Sequence, residues 1–502
     1  MKRRSFFKLA GLASAAVASG AMFYGCNDTE APFEEHEDSN LMVSAGAPIH
    51  FSEQTDVLVI GSGIAGLSAA MDPSEAGRSV IVAEKLELLG GESYDATGMI
   101  YTAATDIQKK AGITTSLEKA WSEIESDFKS QGLGGSMDFE KTLFKTGSEW
   151  VNRIASDYGS KFKDPKEYFK KDVSGDNFLL PEAGLGDMES IMSPIRDKLA
   201  SQGVSFMLGM KAYMFILDEH SHPVGVRFYL SKTNTVADIR AKKIVIATGG
   251  YICNQALVKE YIPNQVKLAC YTTHADGSGH ELCTRIQGTL AHMEAAAPPT
   301  SDLPHVDTWG YFGPIINVSP LGKRIAREDQ LGATALACAK EELGFWWSIF
   351  DKSLSENGLS RSVSFVTSQN ATRMVGPCNT LEELADKTDL SHDVLKTCFD
   401  EYKKAVEAKK DTEFGKTAFL ENLAPPFYAA KQFPNRFRSF GGVVTDDGAR
   451  MLDAFGNPIQ NVFCCGACGA GSFSGLSSHG AFGMIAGRSV VASLEADEAN
   501  ES

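Results

Sequence analysis

The sequence is poor in positive charge and in cysteine patterns, and each shortage removes a class of function. Against 64 acidic residues stand 48 basic ones, a formal net charge of −16. Phosphate backbones need a basic surface, so nucleic acid is excluded as a partner. There is no low-complexity tract, and 43% hydrophobic with 22% charged residues is an ordinary globular balance. The ten cysteines are sparse and irregularly spaced, so no disulfide framework is expected. Their one cluster, Cys464-Cys465-Gly466-Ala467-Cys468, has no second pair or histidines at ligand spacing. It reads as small apolar residues at a strand end and its turn, and no metal site is expected. No Cys-x-x-Cys-His run occurs, so no internal haem is expected. The apolar run Leu9 to Gly25 is marginal for a membrane span and rich in Ala and Gly, which argues against an anchor helix.

What is present begins with an address. Met1 to Lys8 is basic with adjacent arginines, and the small apolar run follows it. This is the layout of an export signal, and Arg3-Arg4-x-Phe-Phe-Lys resembles the twin-arginine class. That route moves proteins already folded. Gly25-Cys26 resembles a lipoprotein processing site, although Phe23 and Tyr24 are bulky for one, so a lipid anchor at Cys26 stays open. Residues 1–26 are read as the signal and the aperiodic, acidic stretch 27–50 as a linker. The mature protein is expected in the periplasm or at the outer face of the cytoplasmic membrane. The 502 residues exceed one compact core, so two domains are the default.

Asp56 to Ile60 has the composition of a short buried strand, and Gly61-Ser62-Gly63-Ile64-Ala65-Gly66 follows it. Gly61 permits the turn, Gly63 lets backbone approach a pyrophosphate, and Gly66 lets the next helix pack on the strand. The helix start offers free N–H groups and a positive dipole end to phosphate. A second strand, Ser79 to Ala83, ends at Glu84, placed for ribose hydroxyls. Strand, Gly turn, helix, strand and acid occur in the order of a dinucleotide site. Pro73 should shorten or kink the helix.

The chain then resembles one family over residues 54 to 498. Leu89-Gly90-Gly91-Glu92-Ser93 and Thr97-Gly98-Met99 are similar to the second flavin-contacting stretch of the fumarate reductase/succinate dehydrogenase flavoproteins. Ala247-Thr248-Gly249-Gly250, His274 to Gly279, Gly322-Lys323-Arg324 with Glu328, Gly441-Gly442 and Phe482 to Gly487 follow in family order. The resemblance implies FAD, and an α/β fold in which a Rossmann-like FAD-binding domain (51–295 and 439–498) carries an inserted mobile cap (296–438) of α+β type. Breaks at Ala296 to Thr300 and Pro434 to Arg436 fit those boundaries, and Leu381 to Lys410 has the period of a cap helix. The implied cofactor set is Gly61, Gly63, Ile64, Ala65, Gly66, Glu84, Lys85, Gly91, Glu92, Ser93, Thr97, Gly98, Met99, Ala212, Ala247, Thr248, Gly249, Gly279, Cys468, Ser478 and His479.

The substrate half departs from the family. Its substrate-binding His falls within Ala295 to Thr300, and its proton-donating Arg falls at Gly332. Phe437-Arg438-Ser439-Phe440 replaces a pair of histidines with Thr and Met, and Gly475 to Gly480 shortens an Asn/Arg segment. A dicarboxylate clamp is therefore largely missing. Arg438, with Arg436 two residues before it, His479 and Tyr311 are the catalytic candidates; Asp307 reads as a loop residue and Trp346-Trp347 as cap core. The resemblance implies reduction of an activated C=C bond in a small organic substrate. Cinnamate-like acids, other unsaturated acids and steroid-like enones stay open. Electrons would come from a separate membrane or soluble donor, a cytochrome or flavoprotein, as in anaerobic respiration. A 3-oxosteroid-type desaturase and a non-catalytic flavin electron carrier are the alternatives.

Overall fold

The apolar run after Asp56 becomes the centre of the larger sheet. The computed structural model describes residues 49–130, 137–168, 177–270, 272, 274–302, 309–354, 373–472 and 475–501. The expected signal, Cys26, almost all of the linker, and Asp307 lie outside them. Glu53–Ile60 is a strand whose Val57, Leu58 and Val59 are fully buried. Burial on both faces is what a central parallel strand requires. Val80–Ala83 pairs with it in parallel, Val57 opposite Val80, and Thr235–Ile246 does so on the other side, Val57 opposite Lys243. Ser205–Met207 and Pro458–Cys464 extend the two flanks, also in parallel. The hairpin of Met210–Leu217 and Pro223–Leu230 pairs antiparallel onto Thr235–Ile246.

Ile64–Glu75 leaves the Gly turn as a helix, and Pro73 sits in its last turn, so the helix stops two residues on. It packs on the final helix, Leu476–Glu501, through a cluster that includes Leu67, Met71, Phe482, Val490 and Leu494. Burying each such side chain stabilises the fold by about 1.5–3 kcal/mol.

The cap is joined through a small sheet. Thr300–Ser301 runs antiparallel to Pro434–Arg436, which also pairs in parallel with Ala269–Cys270. The same register continues to a bridge between Ala296 and Ser439. The chain beyond this gateway has its own four-stranded antiparallel sheet, in the order Ile315–Val318, Trp346–Asp351, Phe427–Gln432, Met374–Cys378. Its core holds Ile316, Trp347, Ile349, Leu384, Leu395 and Phe427, and Trp346 is buried beside it. The fold is α/β with an FAD-binding-type sheet and an α+β cap.

Two expectations are corrected. The helical stretch Leu381 to Lys410 is two helices, Leu381–Thr388 and His392–Glu407, because Asp389 turns left-handed (φ 57°) between them. Cysteine spacing also concealed a disulfide. Cys253 and Cys270 are bridged across 17 residues, because the chain returns after the helix Gln255–Tyr261 to place their Cα atoms 5.6 Å apart.

Candidate active site

The Gly turn is organised by an acid. Glu84, only 5% exposed, accepts hydrogen bonds at Oε2 from the Ser62 N–H (3.0 Å) and Ser62 Oγ (2.6 Å), and at Oε1 from the Leu86 N–H (3.0 Å). Ser62 Oγ in turn accepts from the Gly90 N–H at 2.8 Å. Through Ser62, Glu84 thus ties the first turn to the second flavin-type stretch, and it lines the cavity. Ser93 Oγ accepts from the Ile64 N–H at 3.0 Å at the helix start. Close approach explains Gly66: a Cβ there would lie 1.9 Å from the Gly61 carbonyl oxygen.

One elongated cavity gathers most of the expected residues. Gly61, Gly63, Ile64, Ala65, Glu84, Lys85, Gly91, Glu92, Ser93, Thr97, Met99, Ala212, Ala247, Thr248, Gly249, Gly279, Arg438 and His479 all line it. Gly66 and Gly98 stand behind its wall. Cys468 and Ser478 are buried beside the lining residues Ala467 and His479, the Ser478 hydroxyl donating to Glu140 Oε1 at 3.0 Å. Tyr311 closes a 3-10 turn, Trp309–Tyr311, and its side chain lies outside the described residues. Ser62, Tyr101, Met210, Lys211, His274, Leu331, Phe437 and Leu476 also line the cavity and were not singled out. Ser62 was legible as the polar residue between the two turn glycines; the apolar ones carry no local signal.

The cavity wall carries both signs of charge, and Glu92 feels both Lys85 and Arg438. Toward the second stretch, Lys85 Nζ donates to the His274 carbonyl (2.8 Å) and to Asp276 Oδ2 (2.7 Å). Burial opposes the ionisation of Asp276, but Lys85 and the Ser278 N–H outweigh it and hold the carboxyl below its usual range. Burial raises the Glu92 carboxyl to about 7, with Lys85 acting against it. The Arg438 guanidinium carbon lies 5.3 Å from the Phe437 ring centre and 5.0 Å from that of Phe440. A Cβ on Gly475 would lie 2.9 Å from Arg438 Nη1, so the guanidinium lies close against that turn. Burial, and then the Arg438 charge, push the His479 imidazole down to about 3, and the ring is neutral. Among the described residues no group of His, Cys, Asp or Glu is placed to hold a metal ion.

These residues fit a flavin dinucleotide. The Gly turn and helix start suit a pyrophosphate, Glu84 suits a ribose, and Gly279 keeps the wall thin, since a Cβ there would lie 1.9 Å from Thr248 Oγ1. A family model for the FAD binding domain matches residues 56–484. The chain belongs to the FAD-binding-domain family. A probable fumarate reductase of Shewanella frigidimarina is 27% identical over 424 residues, covering 83% of this chain and 70% of that protein. The urocanate reductase of Eggerthella lenta is 24% identical over 485 residues, covering 89% and 76%. The open conformation of a flavocytochrome c3 fumarate reductase superposes with a TM-score of 0.70 at 24% identity, over 88% of this chain and 79% of that one. FAD is therefore the cofactor, and the chain is a fumarate-reductase-like FAD oxidoreductase.

Proposed function

We propose that this protein reduces the activated carbon–carbon double bond of an organic substrate, an enoate or enone. The observation that carries the reading is Arg438 beside a neutral His479 on the wall of the FAD cavity. When bound, FAD supplies the hydride chemistry. Arg438 is placed to stabilise the negative charge that develops on a conjugated carbonyl during reduction. His479, neutral, can hydrogen-bond substrate without adding a second cation. Leu331, Phe437 and Leu476 add apolar side chains to the cavity wall. Relatives that reduce fumarate and urocanate support the reaction class; the absence of a histidine pair at Phe437-Arg438 argues against a four-carbon diacid.

The cofactor contacts are proposed to be the cavity-lining residues above, with Gly66 and Gly98 shaping the turns. The domain limits are proposed at 51–295 with 439–498, and 296–438 for the cap. We further propose export by the twin-arginine route, a periplasmic or outer-face location, with or without a lipid on Cys26, and a separate cytochrome or flavoprotein donor. Among the described residues no helix is long and apolar enough to cross a membrane. The test is anaerobic oxidation of reduced viologen by a panel of enoates and enones. Turnover in this direction supports the reading, and activity only in the desaturating direction replaces it with the 3-oxosteroid-type alternative.

A further inference from the structure

The cavity wall carries an acid that the surrounding protein leaves unbonded. Glu92 stands in the 3-10 turn Gly91–Ser93, entered through Gly90 in the left-handed region (φ 114°). The next residue pins the turn, since Ser93 Oγ accepts from the Ile64 N–H at the helix start (3.0 Å). Glu92 lines the cavity, and its Oε2 lies 3.4 Å from where a Cβ on Gly249 would stand. The carboxyl is thus held between two cavity-lining stretches, Gly91 to Ser93 and Ala247 to Gly249. Among the described residues it has no hydrogen-bond partner.

The groups around it do not secure a charge there. Lys85 is the cation with most influence on Glu92, but Lys85 Nζ donates instead to the His274 carbonyl and to Asp276 Oδ2. Arg438 adds a weaker attraction, while Asp95 and Asp276 oppose ionisation. Asp95 is itself met by His274 Nε2 at 3.6 Å. Desolvation outweighs both cations, and these protein groups alone bring the carboxyl to about 7. FAD carries a doubly anionic pyrophosphate into the same cavity, and a like charge raises a carboxyl further. It also brings hydrogen-bond acceptors, to which a neutral acid can donate and an ionised carboxylate cannot.

We propose that Glu92 enters the FAD complex as a neutral carboxylic acid that donates a hydrogen bond to the cofactor, so that FAD binding takes up a proton and FAD is released as the pH rises. This role rests on the FAD site alone, whichever substrate is reduced.

The test starts from the purified holoenzyme, wild type and Glu92→Gln. Each is diluted to equilibrium between pH 6 and pH 9, and the freed FAD is read by its fluorescence. The wild-type Kd should be level below about pH 7 and rise about 10-fold per pH unit above it. Glu92→Gln keeps a donor without a charge, and should retain FAD with a flat profile. A second measurement needs no variant. Calorimetric dilution of the wild-type holoenzyme at pH 8, in two buffers of different ionisation heat, should report about one proton released per FAD freed. A wild-type Kd that stays level or falls from pH 6 to pH 9 would overturn the proposal. So would an equal rise in Glu92→Gln, which would move the proton to another group such as His274 or Asp95. A Glu92→Gln protein that folds but holds no FAD at any pH would show that the site needs the anion, and would overturn it too. If Glu92→Gln does not fold, the proton count decides, and release of FAD without a proton sinks the proposal.

Discussion

Arg438 and His479 share a wall of the cavity but differ in charge, and that difference makes the site asymmetric. The guanidinium is the cation available to a developing enolate there. Arg438→Gln is expected to lower kcat/KM about 100- to 1000-fold with flavin retained, measured as turnover per bound flavin. Since the imidazole titrates near 3, the pH–rate profile between 5 and 9 should lack a His479 ionisation. Glu92 is a cavity-lining group that changes charge near neutrality. Its value in the folded protein, about 7, lies above the ordinary 4.5, so its proton favours the folded state. The stability it contributes is complete below about pH 4.5 and is lost as pH rises through about 7. Glu92→Gln should therefore gain a few degrees of melting temperature over wild type on going from pH 5 to pH 8. Parallel curves for the two proteins would remove Glu92 as the titrating group. At this scale the Gly turn, Glu84 and Arg438 were legible, because local backbone demands and charge leave marks in sequence. Ser62 as the partner of Glu84, and the apolar lining from Leu331 to Leu476, depend on contacts between distant segments.

Elements explain which expectations held. The strands at Asp56 to Ile60 and Lys243 to Ile246 were readable because a parallel strand buried on both faces is a continuous apolar run. The gateway was visible only as two breaks, since a ladder joining residues 296–301 to 434–439 has no local period. The two cap helices were read as one because both faces are amphipathic and only Asp389 interrupts them. The cap's buried network was seen only as a family motif. Glu328 accepts from Arg324 Nε (3.0 Å) and Nη2 (2.9 Å), and the wholly buried Lys416 ammonium lies 3.6 Å away. Arg324 also stacks on Tyr402 and Phe414. Removing the acid leaves Arg324 with Asp411 and the buried Lys416 ammonium with the Ile315 carbonyl oxygen and the charge of Asp329. Glu328→Ala should cost about 3–5 kcal/mol in denaturant unfolding. A loss below about 1 kcal/mol, the range of a surface pair, would mean that the network is solvated.

For the whole molecule, the sequence resemblance supplied the two-layer architecture, and the disulfide adds an observation about compartment. Bridged cysteines persist where the surroundings are oxidising, and Cys253–Cys270 agrees with the proposed export. Replacing Arg3 and Arg4 with Lys should keep the protein in the cytoplasm. There, alkylation before and after reduction should find Cys253 and Cys270 as free thiols, while the exported protein yields them only after reduction. The formal net charge of −16 argues against nucleic acid as a partner. The cofactor half follows its family closely and the substrate half does not, so the reaction rests on few residues. The most direct measurement is stopped-flow mixing of the anaerobically reduced holoenzyme with unsaturated acids, following return of the oxidised flavin spectrum. The account expects at least one acid to reoxidise the flavin, with Arg438→Gln slower by 100-fold or more. Reoxidation by none of the acids or enones, or an equal rate in Arg438→Gln, would contradict it.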